Sequence, residues 1–379
     1  MKVTGIICEY NPLHLGHKRQ LDQIRQSGSG IVCLMSGNYV QRGHPAIFDK
    51  ALRAEAALRC GADLVLELPI TAALSSAEGF AAEGVRILSS MCDSLSFGSE
   101  TGDVKPILET ARALLSEDFR SALHDALDTG ISFPAAREAA LRSLGLDGET
   151  LLRPNDILAV EYCKAILSQG SKLMPETIRR NGDYHAPQAD DTEPSATAIR
   201  SCIEKQEPWQ HLVPSEAIAL FENAEVHSLP AGERAMLVRL RTMTDADFEA
   251  LPFGSEGLWR KLMHCARSET RLEDVLTGAK SKRYTHTRLS RMLMCAYLGI
   301  TAEQLAAPVP YVRVLGFNRT GREILKKARE HGSFINIGTP ICDAYEALEA
   351  RADDLYGLFA ETCVNAPGQH NKRRVVVFD

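Results

Sequence analysis

Four short apolar runs near the start of the chain, separated by helical patterns, set the narrowest limit on its fold. They are "VTGIIC" (3–8), "IVCLMS" (31–36), "DLVLEL" (63–68) and "SLSFGS" (94–99). Near-continuous apolar runs of this length are expected of strands covered on both faces, as in a parallel sheet. Between them, residues 16–28, 49–60 and 75–89 carry helical periodicity. Asp49 predicts an N-cap for the second of these helices, and Gly61 predicts its stop. Strand–helix–strand repetition means a doubly wound α/β sheet, which binds ligands at the carboxyl ends of its strands.

The pattern is helical from 103 to about 170, and "RPNDILAVEYCKAILSQG" (153–170) has a Pro–Asn start and a Gly end. "MPETIRR" (174–180) reads as one more strand, and "GDYHAPQADDTEPSATA" (182–198) as a polar loop. "SATAIRSCIEKQ" (195–206) then opens a helix with Ser195 as its cap. After Pro208 helical patterns dominate through about residue 300. The chain therefore divides into residues 1–210, a Rossmann-like doubly wound parallel sheet, and residues 211–379, a mainly α-helical C-terminal domain. Late in the second part, "VRVLGFNRTGREILKKA" (312–328) predicts a strand and a helix, and "RVVVFD" predicts an edge strand.

A chain of 379 residues with 45% hydrophobic and 24% charged residues buries enough surface to need neither disulfides nor structural metal. None of the ten cysteines forms a C-x-x-C pair, so a zinc knuckle is not expected, and a reducing, cytoplasmic setting is. "MKVTGIICEY" turns polar too soon for a signal peptide, and no run of about 18 apolar residues predicts a membrane span. The net charge of −6 gives no global attraction to nucleic acid, which leaves local basic patches for that role.

The stretch "GIICEYNPLHLGHKRQL" (5–21) concentrates the chemistry. The first strand ends near Cys8 and a helix begins near Gly16, a residue that lets backbone approach a ligand. A helix N-terminus offers free N–H groups and positive partial charge, which suits phosphate. His14 and His17 are three apart and can point one way from the first turn. Two imidazoles there would stabilise charge developing on a phosphate. Two other readings of the pair stay open: a metal site lacking a third nearby ligand, and surface histidines.

The string "HLGH" resembles the H-x-G-H signature of the nucleotidylyltransferase superfamily. More narrowly, "EYNPLHLGH" resembles the E-Y-N-P-F-H-N-G-H of bacterial tRNA(Met) cytidine acetate ligases. "MSGNYVQRGHPAIFDKALRAEAAL", "GADLVLELP", "FGSETGD", "PNDILAVEY", "SATAIR" and "KRYTHTRLSRML" resemble that family's blocks, in its order. The chain departs from the pattern at Leu13, Leu15, His44, Asp156 and Ala186, where Phe, Asn, Glu, Asn and Asp are usual.

The resemblance implies that His14 and His17 hold the triphosphate of ATP and stabilise the transition state of adenylyl transfer. It implies an ATP site lined by Ile7, Cys8, Glu9, Tyr10, Asn11, Pro12, Leu13, Leu15, Gly16, Lys18, Arg19 and Gln20 with the two histidines. Gly98, Asn155 and Arg180 are further implied ATP contacts, with Arg179 an equally basic neighbour of Arg180. Ser195 and Thr197 would offer hydroxyls and N–H groups, and Arg200 would face the β and γ phosphates. Gln41 and Arg42 follow the second strand, where Arg42 could meet a carboxylate, a phosphate or a structural partner. The implied reaction joins acetate to AMP with release of pyrophosphate, then acetylates N4 of the wobble cytidine of elongator tRNA(Met). Mg²⁺ would accompany ATP, bridging its phosphates and taking few protein ligands. No membrane and no protein partner are implied.

Three basic clusters offer RNA contacts: "KSKRYTHTRLSR" (280–291), "NRTGREILKKAR" (318–329) and "NKRR" (371–374). In the first, Tyr284 and His286 are interleaved with the cations as rings for base stacking. Two rival functions remain: adenylyl transfer to a small vitamin-type substrate, and non-catalytic tRNA binding.

Overall fold

The computed structural model describes residues 1–131, 133–146, 148–180, 194–281 and 284–378. Its strands are β1 (Val3–Cys8), β2 (Gly30–Ser36), β3 (Tyr39–Val40), β4 (His44–Pro45), β5 (Leu64–Leu68), β6 (Ser94–Ser99), β7 (Met174–Arg179), β8 (Val312–Phe317), β9 (Phe334–Asn336) and β10 (Val376–Val377). The four apolar runs form β1, β2, β5 and β6, and the run at 174 forms β7. The first helices are α1 (Leu15–Gln26) and α2 (Lys50–Arg59). Asp49 caps α2 by accepting the Ala51 N–H at 2.8 Å.

The main sheet runs β10-β8-β5-β2-β1-β6-β7, with β9 paired to β8. From β5 to β7 every pairing is parallel. The chain winds outward from β1 through β2 to β5, then crosses back to β6 on the other side of β1. This reversal leaves a crevice between the carboxyl ends of β1 and β6, the place where such sheets receive ligands.

Two apolar cores cover the two faces of this sheet, one with Leu34, Leu66 and Val160, the other with Ile31, Cys33 and Phe48. A third core fills the helical part, and Tyr39 and Leu74 from the first part belong to it.

The part after residue 210 is helical from Ser215 to Ala306 and then returns to the sheet. β8 pairs antiparallel with β5, Leu64 opposite Phe317, and β10 runs parallel to β8. A boundary at 210 therefore does not separate sheet from helices. β5 is buried along its whole length, and its outer edge of N–H and C=O groups needs a partner, which β8 supplies. His185 and Ala186 lie outside the described residues, as do Lys282 and Arg283.

Candidate active site

After β1 the chain turns through Glu9–His14 into α1, and the turn is held by the two histidines themselves. His14 is the N-cap, and its Nδ1 accepts the Gly16 N–H at 3.1 Å. In return the His14 N–H donates to Nδ1 of His17 at 3.3 Å. The pair thus forms a reciprocal capping box in which two imidazoles replace the usual hydroxyl and carboxylate. Because each Nδ1 accepts an N–H, the proton of each neutral ring sits on Nε2. The rings stack with centroids 3.7 Å apart.

Burial, with the Arg180 and Arg200 charges beside it, pulls His14 down to about 3. Burial, His14 and Arg180 hold His17 well below the usual imidazole range. Both rings are therefore neutral near pH 7. Such rings can offer Nε2–H donors to an anion, and the helix end, Arg180 and Arg200 add positive charge beside them.

Arg180 follows β7 and donates through Nη1 to Asn155 Oδ1 at 3.2 Å. Its stem crosses Gly98 so closely that a Cβ there would lie 2.6 Å from Arg180 Cδ. Gly98 therefore makes room for the Arg180 side chain. A Cβ on Gly16 would sit 3.1 Å from the His14 ring and 3.7 Å from Arg180 Nη2. His14, Gly16, Gly98, Asn155 and Arg180 are thus one constellation across the β1/β6 crevice. Arg179 is exposed and lies over Gly102, at the rim.

The helix Ala196–Glu204 begins where Ser195 Oγ accepts the Ala198 N–H at 3.0 Å. Arg200 on its first turns donates to Asn11 O at 2.6 Å and to Thr197 Oγ1 at 3.1 Å. This arginine joins the SATAIR stretch to the loop after β1.

A cavity of about 720 Å³ opens at this edge of the sheet. Of the stretch 7–20, all but Pro12, Leu13, Leu15 and Lys18 line it. Leu13 is fully buried in the core, and Lys18 turns outward to pair with Asp22. Phe97, Leu158 and Ile178 give one part of the wall an apolar character. Gln41, Arg42 and His44 line another part, on the β3–β4 hairpin. The Gln41 N–H donates to Glu9 Oε1 at 2.8 Å. Burial pushes the Glu9 carboxyl up, against that N–H and the Arg200 and Arg42 charges. Burial, with Arg200, His286 and Arg42 nearby, brings His44 down to about 4.

Sequence reasoning missed two residues that shape this edge. Arg53 is completely buried and donates to the carbonyls of Phe48, Glu9, Ser36 and Gly37, tying the loop after β1 to the loop after β2. Its signal was an arginine set among alanines on the inner face of α2. Glu100, just past β6, accepts from the Asn155 N–H and Nδ2 and from the Asp156 N–H, and so fixes the Asn155 amide.

The basic clusters fare unevenly. On the helix Arg319–Ala328, Arg319, Arg322, Lys326 and Lys327 are exposed, and Arg329 beyond it is too. Arg373 instead pairs with Asp49 through two contacts of 2.8 and 2.7 Å. Tyr284 is buried, its hydroxyl bonded to Glu256 and its ring covered by Arg288, so it offers no open face for stacking. Among the described residues no three metal-ligating side chains converge, and no helix is long and apolar enough to cross a membrane. All ten cysteines are unpaired.

A family model described as HIGH Nucleotidyl Transferase matches residues 1–371. The tRNA(Met) cytidine acetate ligase of Clostridium novyi is 38% identical over 354 residues, 88% of each chain. That of Acetivibrio thermocellus is 34% identical over 414 aligned positions, 100% of each. Thermotoga maritima TmcAL in its apo form I superposes with a TM-score of 0.90 at 30% identity, over 100% of this chain and 99% of that one. The same protein bound with alpha-thio ATP gives 0.87 at 29% identity over the same shares. Sheet order, crevice and imidazole-capped helix define a nucleotidyltransferase of the HIGH class. Within that class, the chain belongs to the family of tRNA(Met) cytidine acetate ligases.

Proposed function

We propose that this protein joins acetate to a cytidine of tRNA at the expense of ATP. The observation that carries the reading is the stacked His14–His17 pair at the α1 N-terminus, facing a cavity at the sheet's crevice in a chain of this family. ATP lies with its triphosphate toward α1, Arg180 and Arg200 and its base toward the apolar wall. An acetate oxygen attacks the α-phosphorus in line, the bond to the β-phosphate oxygen breaks, and pyrophosphate leaves. The two Nε2–H groups donate to phosphate oxygens as their charge grows, and no protein nucleophile is needed. Mg²⁺, arriving with ATP rather than on a dedicated set of side chains, would neutralise part of the triphosphate charge.

In the second half, N4 of the wobble cytidine of elongator tRNA(Met) attacks the acetyl carbon. AMP leaves and the amine loses one proton. The base enters unstacked from the single-stranded anticodon loop. The exposed cations of the helix Arg319–Ala328 support contact with RNA phosphates. Incubation with ATP, labelled acetate and total tRNA tests the whole reading. Label on N4-acetylcytidine from tRNA(Met) supports it; acetate-independent ATP–pyrophosphate exchange, or label absent from RNA, overturns it.

A further inference from the structure

Three arginines are buried among the described residues: Arg53, Arg291 and Arg313. Arg53 gives its donors to four backbone carbonyls. Arg313 meets Glu349 at 3.0 Å and the Thr339 carbonyl at 2.7 Å. Arg291 differs from both. It is 8% exposed, its Nη1 reaches the Gln41 carbonyl only at 3.4 Å, and its Nε has no hydrogen-bond partner. The face of Phe253 lies 5.3 Å from the guanidinium carbon, and among the described residues no carboxylate lies within 4.0 Å. Burial, with Arg288 close by, brings it down to about 10.

A buried charge without a counter-charge is costly, and a ligand of opposite sign removes the cost. Arg291 lines the same cavity as the imidazole pair, on the side built by the β3–β4 hairpin and the helices Leu229–Thr242 and His286–Leu298. Thr287, in the first turn of its own helix, lines the wall with it. The triphosphate is accounted for at α1. A base presented by RNA cannot enter the cavity without the phosphodiesters on either side of it, each carrying one negative charge. A guanidinium is the side chain best fitted to receive one.

We propose that Arg291 seats the phosphodiester flanking the acceptor cytidine, and so favours a polynucleotide over a free nucleoside. This inference rests on the reading given under Proposed function. The test uses full-length enzyme and tRNA(Met) carrying a single methylphosphonate 5′ or 3′ of that cytidine, with wild type and R291Q. One of the two methylphosphonates raises the KM for tRNA about tenfold in wild type and adds nothing in R291Q, because the same contact is already lost. R291Q raises the KM for unmodified tRNA by a similar factor and lowers the slope of log KM against log salt by about one. Equal methylphosphonate penalties in both enzymes overturn the proposal, as does an unchanged KM for tRNA in R291Q. A raised KM for acetate in RNA-free ATP–pyrophosphate exchange also overturns it, since the arginine would then hold the acid. If R291Q does not fold, R291K takes its place, and a wild-type series in which neither methylphosphonate raises the KM overturns the proposal by itself. Wild type that supports acetate-dependent exchange but labels no RNA sinks the parent reading first, which separates the two failures.

Discussion

A Cβ placed on Gly43 would lie 2.4 Å from the backbone nitrogen of Arg291. Gly43 has φ +77, and it turns the β3–β4 hairpin against the helix His286–Leu298. Neither main chain has a flexible end that could give way, so this contact fixes Gln41 and Arg42 relative to the helical part. Gly43→Ala meets both a strained φ and a backbone overlap, and should cost about 1–3 kcal/mol. A denaturant titration measures that loss. Acetyl transfer should fall further than the stability change accounts for, because the hairpin wall moves. A variant with wild-type stability and activity would mean that the hairpin is not held there.

The neutral histidines predict how stability follows pH. His14 falls from 6.5 unfolded to about 3 folded, and His44 from 6.5 to about 4. Between these values the unfolded chain binds protons that the folded chain does not, so stability drops as pH falls below about 6.5. The loss continues toward pH 4 for His44 and pH 3 for His14. His14→Gln, which cannot titrate, should show a shallower fall in urea midpoint between pH 7 and pH 5. It should also lose ATP–pyrophosphate exchange by about 10² or more if its Nε2–H stabilises the transferring phosphate. Parallel pH curves for variant and wild type would contradict the burial of a neutral ring.

How much of this could be read beforehand depended on whether the cause was local. β1, β2, β5 and β6 showed because burial on both faces writes a continuous apolar run. His14 and His17 showed because strand, loop, glycine and helix stand in one unbroken stretch. Arg53 did not, since its partners at Glu9, Ser36 and Gly37 come together only once two strands are paired. β8 could be read as a strand, but not as the partner of β5, because a chain distance of some 250 residues carries no periodic mark. Tyr284 looked like a stacking ring beside cations, and burial under Arg288 was invisible without the fold. Lys18 lay within the ATP stretch by position, yet the helical turn carries it to the opposite face.

Gly98→Ala tests the role of the Arg180 stem. A methyl there would sit 2.6 Å from Cδ and 3.1 Å from Cγ, so the side chain must swing away from Asn155. The arginine can move at small cost in stability, but its charge leaves the crevice. The KM for ATP should rise about tenfold, in line with the loss of one charge-assisted contact, while the thermal midpoint changes little. Calorimetric titration with a non-hydrolysable ATP analogue checks this directly. Unchanged affinity would show that Arg180 does not hold the nucleotide.

The two half-reactions should respond differently to salt. On the proposed reading acetate is activated in a cavity where buried groups are only weakly screened, so ATP–pyrophosphate exchange should vary little between 50 and 200 mM salt, roughly within twofold. Transfer to tRNA displaces counterions from several phosphates, and its kcat/KM should fall by about 10² or more over the same range. The exposed Arg319, Arg322, Lys326 and Lys327 share one helix, so changing all four to glutamine should reduce the slope by roughly the number of phosphates they meet. The same variant should leave exchange untouched, because none of the four lines the cavity. A slope that stays at its wild-type value would move the RNA path off this helix, and the remaining basic surface around Lys280 and Arg288 would become the place to look.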